Sequence, residues 1–184
     1  MPLSRRARIP VGILCLVLVL GTACDKKSGT PSADASVPTS TLLKQGIAAQ
    51  LAGQLEQAAA DYRKVLTTDP NNKYAYFNLG LIDQKQRNLA GAESFYRRAL
   101  AIDPEFTPAL FNLAIVLTSR GQNQEALALY RKVISLKPSD ASAHLNLGFL
   151  LRELGHKKEG EKELETAVKL DPSLAARVSP SPSA

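Results

Sequence analysis

Pro70, Pro104, Pro138 and Pro172 stand 34 residues apart, and other positions keep the same period. Gly46, Gly80 and Gly148 share one frame with Ala114, Ala58, Ala92 and Ala126 another with Gly160, and Tyr62, Tyr96 and Tyr130 a third with Leu164. Such a chain is confined to an array of like units, each too small to bury its apolar face alone, so that neighbours must stack. Within a unit, Tyr76, Leu79, Gly80 and Asp83, or Leu110, Leu113, Ala114 and Leu117, follow the three-to-four spacing of a helix stripe. Ala92, Tyr96, Ala99 and Leu100 form the answering face of a second helix, and the small residue in the first stripe lets the two helices approach closely. The prolines stop each second helix, and Asp69, Asp103 and Asp171 precede three of them while Lys137 precedes the fourth. Gly53, Gly121 and Gly155 mark the turn inside three units, with Arg87-Asn88 in that role in the second, where Asn tolerates the left-handed conformation. Thr107-Pro108 reads as a cap and first helical residue, and Asn72 and Asp140 as caps. Helix pairs are expected at 40–52/55–68, 73–86/89–102, 107–120/123–136 and 141–154/157–170.

These residues resemble the tetratricopeptide repeat, a 34-residue helix–turn–helix, over Thr39 to Pro172. The resemblance implies an all-α fold, a right-handed α-solenoid of four tandem units at about 39–72, 73–106, 107–140 and 141–174. In that family the first helices line a concave groove. It implies groove positions for Leu43 and Ile47, Phe77 and Leu81, Phe111 and Ile115, and Leu145 and Phe149, an unusually apolar set. Apolar residues exposed together mark a binding surface; the other reading is that part of the stripe packs on the adjacent unit. Asn78, Asn112 and Asn146 lie beside the stripe, with Lys44 in the first unit. As paired donors and acceptors they could read an extended peptide backbone, or simply bond between helices. The basic clamp of the chaperone-binding members is absent, because its places fall on Pro108, Asn112, Leu43 and Ile47.

The first residues read as an address. Arg5, Arg6 and Arg8 precede an aliphatic run, Val11 to Leu20, which is followed by the small residues Gly21-Thr22-Ala23. The uncharged stretch from Ile9 to Cys24 has 16 residues, short of the roughly 20 of a membrane-spanning helix. Leu20 to Cys24 resembles a bacterial lipobox, which implies lipidation of Cys24 and a membrane anchor, although Gly21 stands where that motif has Leu. General signal-peptidase cleavage after Ala23, leaving an unmodified Cys24, and a short uncleaved anchor are the alternatives. Residues 1–24 are thus the signal segment, 25–39 a Ser/Pro-rich tether, and 173–184 a disordered Pro/Ser-rich tail that leaves the last unit's outer face partly open.

Chemistry finds little purchase. Three of the positive charges, Arg5, Arg6 and Arg8, lie in the first ten residues, and Ser40 to Pro172 holds 17 Lys/Arg against 15 Asp/Glu, so no basic stripe points to nucleic acid. Both cysteines precede residue 25, and neither a metal-ligand spacing nor a glycine-rich phosphate loop occurs. His144 is expected to be a partly buried structural imidazole, His156 solvated, and Glu159, Glu161, Glu163 and Glu165 a solvated face. No enzyme, cofactor or metal is expected. The expectation is an exported, membrane-anchored adaptor that holds a peptide or helix of a protein partner in its groove. Lipoproteins with such repeats resemble envelope-assembly accessory factors. The alternative is a homo-oligomeric spacer whose open ends stack at the membrane.

Overall fold

A computed structural model describes residues 37–178. Eight helices follow one another in pairs: α1 (Thr39–Leu51) with α2 (Leu55–Thr68), α3 (Lys73–Lys85) with α4 (Leu89–Ile102), α5 (Thr107–Ser119) with α6 (Asn123–Leu136), and α7 (Ala141–Glu153) with α8 (Lys157–Leu170). The second helix of each pair matches its expected range residue for residue, and each first helix ends one residue sooner. The result is an all-α right-handed solenoid of four helix–turn–helix units. Among the described residues, no helix is long and apolar enough to cross a membrane.

The first two units are each locked by a ring laid over a missing side chain. A Cβ on Gly46 would come within 2.6 Å of the Tyr62 ring, and one on Gly80 within 2.5 Å of Tyr96. The phenols reach across their helix pair, Tyr62 donating to Gln50 Oε1 at 2.9 Å and Tyr96 to Gln84 Oε1 at 2.7 Å. In the last unit two glycines meet instead: a Cβ on Gly160 would lie 2.7 Å from the Gly148 carbonyl oxygen. Ala58, Ala92, Ala126, Val65, Ala99 and Val133 complete the buried seam.

The turns hold several departures from expectation. Arg87, not Asn88, takes the left-handed backbone at φ 61°, in register with Gly53, Gly121 and Gly155. Asn88 instead caps α4 by accepting from Gly91 N–H, as Asn72 and Asp140 cap α3 and α7. Thr107 already lies inside α5 and donates to the Glu105 carbonyl, so it caps nothing. The tail differs most. Pro172–Leu174 forms a 3₁₀ turn, and Ala175–Val178 a one-turn helix, α9, where no structure was expected. Leu174 and Val178 pack on Leu145, Leu164 and Ala167, because those side chains would otherwise face water. Val178 occupies the place in the 34-residue frame held by Leu42, Tyr76, Leu110 and His144, so the tail starts a fifth first helix.

Candidate functional site: the row of first helices

The solenoid bends toward its first helices. α3 touches α5 and α5 touches α7, whereas second helices of successive units do not come that close. Long side chains span the wider outer gap: Arg97 makes paired bonds of 2.8 and 2.9 Å to Glu125, and Arg131 one of 2.8 Å to Glu159. Arg97 also binds Glu93, which accepts from Arg120 in turn. The bond to Arg97 holds the Glu125 carboxyl below its ordinary range and raises the Arg97 guanidinium.

The inner row is α1, α3, α5 and α7, and it carries every residue singled out for the groove. The structure treats these residues unequally. Ile47 is 41% exposed, and Leu43, Leu81, Ile115 and Phe149 are half-buried. The Phe77 ring sits 5.8 Å from Tyr96 and 5.4 Å from Phe106, and Phe111 stands 6.0 Å from Tyr130, so both are largely committed to packing. Leu145 is a correction: at 2% exposure it is core, because Leu164, Ala167 and the folded tail close over it.

The asparagines are also partly engaged. Asn78 Nδ2 donates to the Tyr74 carbonyl at 2.8 Å and Asn112 Nδ2 to the Pro108 carbonyl at 2.9 Å, one turn back in the same helix. Asn146 is half-buried, and Lys44 is exposed.

Two large apolar residues on this row escaped the sequence reading. Leu51 is 84% exposed and continues the four-residue step of Leu43 and Ile47. Tyr74, 49% exposed, opens α3 and stacks edge-on against Phe106 at 5.5 Å. That step was legible; the exposure of Tyr74 was not, since it depends on the entry angle of the preceding turn. Lys73 lies 5.2 Å from the Tyr74 ring and 5.0 Å from that of Phe106 while binding Asp103. The bond raises the Lys73 ammonium and lowers the Asp103 carboxyl.

His144 is buried, as expected. Its Nδ1 meets Glu163 Oε2 at 2.6 Å and its Nε2 the Pro138 carbonyl at 3.0 Å, joining α7, α8 and the turn before α7. Glu163 is therefore not part of a solvated face. Glu159 pairs with Arg131, while Glu161 and Glu165 are exposed, as is His156. Among the described residues, no three His, Cys, Asp or Glu side chains are grouped to hold a metal. Cys24 and the tether up to residue 36 lie outside the described residues, and Thr39, the tether's last residue, already opens α1.

Models described as tetratricopeptide repeat match residues 43–105, 95–128 and 141–174, and one described as TPR repeat matches 115–155. A solved structure of MamA is 26% identical over 75% of this chain and 81% of that one, with a TM-score of 0.68. A fragment of MamA from Desulfovibrio magneticus RS-1 is 22% identical over 75% of this chain and 78% of its own, with a TM-score of 0.67. No curated protein gives a significant match.

Proposed function

Because the chain is a tetratricopeptide-repeat protein, and so a scaffold of the protein-interaction kind, we propose that it holds one segment of a partner protein against its row of first helices. One observation carries this reading: large apolar side chains stay exposed on the row, with Ile47 at 41%, Leu51 at 84% and Tyr74 at 49%. Burying them against a partner is favourable by roughly 25 cal/mol per Å² of apolar surface. We further propose that the N-terminal segment exports the chain and that lipidated Cys24 tethers it at the envelope, on the strength of Arg5, Arg6, Arg8 and the aliphatic run before Cys24. Assembly of an envelope complex is the role this arrangement suits. The ends favour an adaptor over a stacking spacer. Where α3 buries Ala75, Leu79 and Ile82, α1 presents Thr41, Gln45 and Ala48 to solvent, a poor surface for end-on packing.

The test is a photo-crosslinking residue placed in cells at Ile115 on the inner row and, separately, at Glu165 on α8. Capture of one discrete envelope protein from Ile115 alone is expected. Equal capture from both places, or none from Ile115, would remove the groove reading, and capture of the chain by itself would turn it toward a self-associating spacer. Loss of lipid labelling on Cys24→Ser is expected; labelling that persists would end the tether proposal.

A further inference from the structure

Exposure along the inner row is uneven. It is greatest on α1, where Leu43, Ile47 and Leu51 make one stripe, about 12 Å long at 1.5 Å per residue. Tyr74 stands apart from this stripe, in the first turn of α3 against Phe106. At the other end Phe111 leans on Tyr130, and Leu145 is closed beneath the tail. Charge is uneven as well. α1 has no carboxylate, and its one charged residue, Lys44, is exposed with no ion-pair partner among the described residues. Lys85 on α3 is in the same state, whereas the one acid of α3, Asp83, accepts from Asn88 and lies over Gly91 of the second helix. One of the two amide N–H donors of Asn78, and one of Asn112, is already bonded within its own helix, which weakens a ladder for reading an extended backbone.

Building on the groove reading, we infer that the partner anchors at the α1 end, and that its anchor is an amphipathic helix with an apolar i, i+4 stripe flanked by carboxylates. The stripe meets Leu43, Ile47 and Leu51, and the acids meet Lys44 and Lys85. A helix satisfies its own backbone, so it needs no amide ladder, and its side-chain spacing matches the stripe on α1. Opposite charges at the rim set orientation and association rate more than affinity.

The experiment selects peptides on the full chain from a library holding both amphipathic helical and proline-interrupted extended segments. Enrichment of acidic amphipathic helices is expected. Their binding should fall roughly tenfold with Leu51→Asp, weaken with Lys44→Glu plus Lys85→Glu, and weaken in high salt. Leu51, Lys44 and Lys85 are exposed, so these variants keep the fold, with helicity as the check. Enrichment of extended or basic segments would overturn the inference. So would helices that ignore Leu51→Asp but are lost with Ile115→Asp, a result that leaves the groove reading standing. Binding that no inner-row substitution alters would overturn both. A doubled particle mass that Leu51→Asp abolishes would place a second copy of the chain on α1 and overturn the acidic helix.

Discussion

At Tyr62, Tyr96 and Tyr130 one phenol in each of the first three units is buried against the first helix. Burial pushes Tyr62, helped by the nearby Asp61, and Tyr130 up to about 12 and raises Tyr96 as well. In the unfolded chain these groups ionise near the ordinary value of 10, so the folded state alone keeps them neutral above it. The stability they contribute is fully present below pH 10 and is lost as pH rises toward 12. Denaturant midpoints should fall steeply across that window, and Tyr62→Phe should flatten the fall while removing about 1 kcal/mol at neutral pH with the bond to Gln50. Arg87 offers the opposite case. Its left-handed backbone costs roughly 1 kcal/mol that glycine avoids, so Arg87→Gly should raise the melting temperature, and no change would mean that the turn is not strained. These tyrosines and turn positions were legible because the period repeats them. Leu145 and Glu163 were not, since their burial comes from the folded tail and from His144, residues far along the chain that no local spacing reports.

Between helices, the Asp-Pro punctuation has a mechanism. Asp69, Asp103 and Asp171 each accept from the backbone N–H two residues on, in Asn71, Glu105 and Ser173, before the chain turns into the next helix. Lys137 forgoes that bond and reaches Asp140 by its ammonium instead. Across the outer row, Arg97 and Glu125 tie α4 to α6. Glu125→Gln should cost no more than about 1 kcal/mol and almost nothing in high salt, since the pair is exposed. Because the folded-state carboxyl is lowered, that contribution is present above the usual glutamate range and fades as pH falls through it. A denaturation series in acid and in salt checks both. Helix bounds were readable from proline, glycine and stripe; these cross-unit pairs were not, because they depend on how far the second helices stand apart.

For the four units together, the ends differ in how they meet water. The α1 end is polar by composition, through Thr41 and Gln45, and the other end is divided. Lys157 and Glu161 solvate the start of α8, while Leu174 and Val178 cover its far half. Leu174→Ser with Val178→Ser should lower stability by roughly 1–3 kcal/mol and increase dye binding to apolar surface. A variant as stable as the wild type would show that the tail does not close the last unit. The sequence made the stacking of units plain and hid this closure, because a short Pro/Ser-rich tail carries too little periodicity to announce a helix.

The unequal spacing of the two rows also gives the molecule a mechanical character. Among the inner helices α3, α5 and α7 already approach one another, so further curling is opposed by their packing. The outer helices stand apart, joined by flexible Arg–Glu struts that can tilt. Such an array should resist closing more than straightening, and on the groove proposal a bulkier guest is expected to uncurl it rather than to repack its units.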